Sequence, residues 1–258
     1  RHGGSFALTA LLTDYAVHAI WLTRNVDMYF VATEKMAEDM RSRGFDACTV
    51  RATGIPIAPA DYALERRAAQ ERIGLSEDLP TLLLMGGGLG LGGMDRTVAA
   101  LEQVKQKLTI LVVAGHNSAL AAHARTAAQT SRHMIRVYAY TDEVSVLMRA
   151  ADLLITKPGA LTISEAFAAE LPLLLHDPIP GPETENAIYA TRRGAAVWLH
   201  PGEHMAPTVE EILTHRIPEM RRAARLCARE KAAREVASAL VDLLTRKRGH
   251  THGAEKIV

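Results

Sequence analysis

Apolar residues fall into nine runs of strand length: Phe6–Thr13, Met28–Ala32, Cys48–Ala52, Thr81–Met85, Thr109–Ala114, Ile135–Tyr138, Leu153–Thr156, Leu171–Leu175 and Ala195–Trp198. Many of these are apolar at successive positions, the pattern of strands covered on both faces. Helical patterns separate most of them. Glu34–Arg43 ends at Gly44 and Asp61–Ile73 ends at Gly74, each glycine standing where a helix closes in the left-handed region. Asp142–Ala150 follows Thr141, a good N-cap. This β-α alternation predicts an α/β protein with parallel, doubly wound sheets.

Gly54, Pro56 and Pro59 punctuate the chain and place a boundary over residues 54–80. Three strand patterns precede it, fewer than the roughly five to six of an average sheet. Six follow, with helices between them. The expected division is residues 1–57 as one α/β piece, 58–80 as a linker, 81–204 as a complete domain, 205–246 as helices broken at Pro218, and 247–258 as a flexible tail. The chain opens at Arg1 and enters a strand pattern at Phe6, so the natural N-terminus is expected upstream.

Composition narrows the function classes. The 258 residues are 48% hydrophobic and 23% charged, which suits a globular protein and excludes a disordered one. The formal net charge of +1 lacks the basic excess of a nucleic-acid binder. No apolar run approaches the ~20 residues of a membrane span. The two cysteines, Cys48 and Cys227, have no metal-ligand spacing and read as reduced thiols.

Chemistry concentrates in three strand-turn-helix segments. Six of the eight residues from Gly86 to Gly93 are glycine. Such a loop lets backbone N–H groups approach phosphate oxygens at a helix N-terminus. Gly88, Gly90 and Gly93 satisfy G-x-G-x-x-G, yet the second strand ends Val113-Ala114-Gly115-His116 without the acid that a dinucleotide ribose requires. No Gly-Lys-Ser/Thr follows, which excludes a P-loop. The second segment, Ile155-Thr156-Lys157-Pro158-Gly159-Ala160, leads into a helix carrying Glu165. That carboxylate either accepts two ribose hydroxyls or serves as a helix-dipole partner. The third, Asp177-Pro178-Ile179-Pro180-Gly181-Pro182, opens a helix with Glu183, Glu185 and Asn186, which bind sugar hydroxyls or cap the helix. Asp14 and His18 follow the first strand and read either as an acceptor-activating pair or as a structural Asp–His contact.

The second and third segments together resemble the diacylglycerol glucosyltransferase and monogalactosyldiacylglycerol synthase family. The Leu-Leu-Met-Gly-Gly-Gly loop is similar too, as are Thr13-Asp14-Tyr15 with His18 and Trp21, Asp27 with Tyr29 and Val31, and Thr53-Gly54-Ile55-Pro56. The peptidoglycan N-acetylglucosaminyltransferase is a more distant likeness. The resemblance covers residues 7–200 and implies a GT-B fold of two Rossmann-like domains, the first cut short here. It implies a hexosyltransferase moving glucose or galactose from a UDP-sugar to diacylglycerol or a glycolipid, with inversion and without a metal or other cofactor. The implied setting is cytoplasmic, peripheral on the inner face of the cell membrane. By residue match, Gly87, Gly88 and Gly90 would face the diphosphate and the backbone near Thr141 the uracil. Glu165 would hold the ribose, and Glu183 and Asn186 the donor sugar. Asp14 and His18 would serve the acceptor. Pro182 stands where relatives carry Gln, and the family's glycine- and histidine-bearing N-terminal loop has no counterpart. The expected rivals are an N-acetylglucosamine transferase with another lipid-linked acceptor, and a UDP-sugar-binding piece that turns nothing over.

Overall fold

The computed structural model describes residues 6–58, 62–75, 79–86 and 94–254. Two compact units divide the chain: residues 1–58 with 229–258, and residues 59–228. The chain therefore leaves its first unit after Ala58 and returns to it at Arg229.

The first unit holds a parallel sheet in the order β1 (Thr9–Leu11), β2 (Met28–Val31), β3 (Val50–Ala52). Every residue of β2 is buried, as a central strand covered on both faces must be. Helix α1 (Glu34–Ser42) starts at Thr33, whose hydroxyl accepts the Met36 N–H, and ends before Gly44 at φ +85°. The tyrosine of β2 ties down the loop above it: the Tyr29 hydroxyl accepts the Thr23 N–H at 2.8 Å and reaches the carbonyl oxygens of Trp21 and Thr23.

The second unit is built on six parallel strands: β4 (Thr81–Met85), β5 (Thr109–Val113), β6 (Met134–Tyr138), β7 (Leu153–Thr156), β8 (Leu173–Leu175) and β9 (Ala196–Trp198). Their spatial order is β6-β5-β4-β7-β8-β9. The chain winds outward from β4 in one direction, then returns to β7 on the other side of β4, so the topological switch point lies between β4 and β7.

Strand alternation sorts the core. Leu82, Leu84, Ile110, Val112, Leu153 and Ile155 face one layer of helices, α3 (Met94–Leu101), α4 (Ser118–Thr130) and α8 (Met205–Glu211). The alternate residues Leu83, Leu111 and Leu154 are equally buried, and alternation turns them to the opposite face. The remaining crossover helices are α5 (Val144–Ala150), α6 (Ala160–Ala168) and α7 (Pro182–Arg192).

All nine expected strands form, each within two or three residues of its apolar run. Three other expectations change. Residues 62–75 are not a free linker. Helix α2 (Arg66–Arg72) is stitched to the second unit by Gln70 Nε2 to Ala150 O (3.3 Å), Arg149 Nε to Leu64 O (2.8 Å) and two Arg136 bonds of 2.6 Å to the carbonyl oxygens of Ile73 and Gly74. Pro218 does not break its helix. A π-helical stretch, Ile212–Arg216, joins α8 to α9 (Ile217–Cys227) and puts the proline in the first turn, where its missing N–H costs nothing. Residues 205–246 do not act together either: α9 packs on α6, whereas α10 (Ala232–Ala254) covers Met28 and Phe30 of β2 with Ala239, Val236 and Leu240. The last helix runs through to Ala254 and includes much of the expected tail.

Candidate functional site

Open parallel sheets bind ligands beyond the carboxyl ends of their strands, at the switch point. Here β4 and β7 pair in register, with Met85 opposite Thr156. The last strand residue before the glycine-rich loop thus stands beside the last one before Lys157-Pro158-Gly159. Gly87, Gly88 and Gly90 lie outside the described residues; Gly86, which opens the loop, is placed at this edge.

Two separate motifs are joined here by one buried amide. Asn186 of α7 is 0% exposed, and its Nδ2 donates to Pro158 O at 3.2 Å. It braces the turn that feeds α6. The carbonyl of Lys157 accepts the Gly159 N–H at 2.9 Å, completing that turn. Glu165 follows in α6, half-buried, and loss of solvent raises its carboxyl pKa above the usual glutamate range. Tyr62 lies near enough to feel that charge. Burial first, and Glu165 second, raise its phenol far above the ordinary value.

Glu183 sits in the first turn of α7, where its Oε2 accepts the Ile179 N–H at 2.7 Å. It holds the Pro178–Gly181 loop closed, while Gly181 at φ +100° makes the bend into Pro182. Thr141 follows β6; its Oγ1 accepts the Glu143 N–H at 3.1 Å, and α5 starts two residues later than the expected helix.

One feature escaped the sequence reading. His116, beyond β5, stacks on Tyr140, beyond β6, with ring centroids 4.8 Å apart and planes 19° from parallel. Tyr140 is 63% exposed and directly precedes Thr141. Only the position of both rings just after neighbouring strands could have signalled it.

In the first unit, Asp14 and His18 follow β1. The His18 Nδ1 accepts the Ile20 N–H at 3.4 Å and so caps a short 3₁₀ turn, Ala19–Trp21. That turn holds Ile20 and Trp21 in solvent, 75% and 60% exposed.

Comparison with known proteins bears on both units. The family model described as monogalactosyldiacylglycerol (MGDG) synthase matches residues 2–57. That for the glycosyltransferase family 28 C-terminal domain matches residues 81–241, more than half of the chain. This chain belongs to glycosyltransferase family 28. Among its relatives are proteins named processive diacylglycerol beta-glucosyltransferase: one from Bacillus cereus (strain B4264) is 34% identical, and one from Bacillus mycoides (strain KBAB4) 32% identical, each over 82% of this chain. The chain spans 55% of the length of each. The crystal structure of Acinetobacter baumannii MurG matches with a TM-score of 0.66 at 20% identity, covering 92% of this chain and 67% of that one. The architecture is accordingly α/β and GT-B in type. Among the described residues, no helix is long and apolar enough to cross a membrane.

Proposed function

We propose that this family 28 chain serves the transfer of a hexose from UDP-glucose or UDP-galactose to diacylglycerol, making a membrane glycolipid. One observation supports the donor half above all: the Met85–Thr156 register brings Gly86, where the glycine-rich sequence begins, to the same strand-end edge as the turn leading to Glu165, at the switch point of the sheet. A nucleoside diphosphate fits this layout. Backbone N–H groups of the loop and the N-terminus of α6 would receive the diphosphate. Glu165 would accept the ribose hydroxyls. The exposed ring of Tyr140, braced by His116, would stack on the uracil beside the Thr141 backbone. Glu183 would border the donor sugar, and Asn186 would hold the Pro158 turn in place.

In the reaction, the acceptor hydroxyl attacks the anomeric carbon and the bond from that carbon to the diphosphate breaks. The hydroxyl proton passes to a base, for which the family resemblance offers Asp14 or His18, and configuration inverts in one displacement. UDP leaves against backbone donors and a helix N-terminus, without need of a metal. The acceptor reading draws on the named relatives and on Ile20 and Trp21, which offer an apolar surface to a lipid. Contact with the membrane would be peripheral.

The test is to incubate the chain with diacylglycerol vesicles and either UDP-glucose or UDP-galactose, and to follow glycolipid by mass spectrometry beside UDP affinity by calorimetry. Micromolar UDP binding with new glycolipid is expected. No UDP binding sinks the donor site; binding with glycolipid formed only from UDP-N-acetylglucosamine replaces the hexose donor.

A further inference from the structure

Tyr62 lies just ahead of α2, in a segment that one guanidinium fastens to α6. Arg149 Nε donates to Leu64 O at 2.8 Å, and its Nη1 donates to Ala169 O at 3.1 Å. Ala169 closes α6, so a single side chain ties the segment carrying Tyr62 to the helix carrying Glu165. Further along the same segment, Gln70 is 4% exposed and donates to Ala150 O at 3.3 Å, which secures α2 beside α5. Tyr62 is therefore held in place as part of the second unit.

From this anchor the two side chains are within reach of one another. Glu165 stands one helical turn before Ala169, about 6 Å along the axis. The step from Leu64 back to Tyr62 spans at most about 7 Å. Electrostatics supply the direction. Both side chains are half-buried, and the Glu165 carboxylate is the one charge that adds to burial in raising the Tyr62 phenol.

The pairing has a definite use. The phenol keeps its proton and can donate it to a hydrogen bond, whereas an ionised Glu165 accepts only. A ribose hydroxyl does both. Placed between the two, it gives its proton to Glu165 and takes a hydrogen bond from Tyr62, and each bond strengthens the other. A phosphate oxygen in that place would meet the Glu165 charge, and an apolar group would leave both polar groups unmatched.

We infer that Tyr62 is a second contact for the donor ribose, its hydroxyl donating to a ribose oxygen whose own proton goes to Glu165. This role rests on Glu165 as the ribose acceptor. It adds the donor that lets the pocket choose a sugar bearing hydroxyls.

The test is calorimetric titration of UDP and of 2′,3′-dideoxy-UDP into the parent, Tyr62→Phe and Glu165→Ala. Tyr62→Phe keeps the ring and removes only the hydroxyl. It should weaken UDP by about three- to tenfold, the loss of one hydrogen bond, and leave dideoxy-UDP within about twofold of the parent. A merely structural tyrosine would weaken both nucleotides alike, and that result overturns the contact. So does UDP binding by Tyr62→Phe at the parent's affinity while Glu165→Ala loses its preference for UDP; the Glu165 reading then survives without Tyr62. A parent that binds dideoxy-UDP as tightly as UDP overturns both.

Discussion

Glu165 carries opposite demands. In the folded chain without ligand its charge is desolvated, and its pKa is raised for that reason. A carboxyl raised on folding favours the folded state below the unfolded pKa, and that contribution is lost as pH rises through the folded value. At neutral pH the charged side chain is therefore a burden on stability. Glu165→Gln should melt higher than the parent at pH 7, by ~1–3 °C on the usual scaling for a domain of this size. The gap should close as pH falls through the range just above the ordinary glutamate value. The same substitution should weaken UDP by one or two charge-assisted hydrogen bonds, about 1.5–3 kcal/mol each. A scanning-calorimetry series at several pH values beside UDP titrations reads both. A variant that is less stable at pH 7 with UDP affinity unchanged would make Glu165 a structural partner of its helix.

At the scale of elements, one carboxylate joins three. Asp152, at the start of β7, receives Arg66 of α2 at 2.6 Å, the Thr81 N–H of β4 at 2.9 Å and Arg221 of α9 at 3.2 Å. Burial lowers the Arg221 pKa, and Asp152 is the group that opposes this. Asp152→Ala would leave Arg221 largely buried without its anion. Breaking a buried pair costs roughly 3–5 kcal/mol, and partial exposure puts this one toward the lower end. Urea unfolding should show the free energy fall by that amount, as a lower midpoint at unchanged slope, with Asp152→Asn less affected because the amide oxygen still accepts the Thr81 N–H. A second element contact depends on a missing side chain. Gly54 has φ +87°, and a Cβ built there would stand 2.5 Å from Arg229 Cβ. Gly54→Ala combines a left-handed backbone with that clash, so it should loosen the return of the chain into its first unit. Hydrogen exchange should rise at Thr53–Ile55 and at the start of α10, and unchanged exchange would show that the two segments part at no cost.

For the whole molecule, the return of the chain predicts unequal consequences of cutting it. Met28 and Phe30 are buried beneath α10. A chain ending at Ala228 should expose that face of β2. Amides of β1, β2 and β3 should then lose protection in hydrogen exchange, while those of β4 to β9 keep theirs and UDP affinity holds. Loss of protection throughout would mean that the two units unfold as one.

Local patterns were enough for the elements. Leu82–Leu84 and Leu153–Ile155 form central strands because each is apolar at every position and only a strand covered on both faces buries them all. Thr33, Gly44 and Gly74 end or start helices through bonds and backbone angles within a few residues of themselves. The turn before Glu165 was legible for the same reason, since strand, turn and helix N-terminus are consecutive. What lies between distant segments was not legible. Asn186 read as a sugar contact or a cap, and packing instead buries it under Pro158, 28 residues away. Pro218 read as a break, and a π-helical turn absorbs it. The His116–Tyr140 stack exists only because parallel strands bring their carboxyl ends to one edge, and the Asp152 junction only because β4 and β7 start side by side at the opposite edge. Periodicity and capping act over one or two turns of chain and can be read along it. Which faces meet is settled by burying apolar surface among all the elements at once, and no single stretch of sequence contains that information.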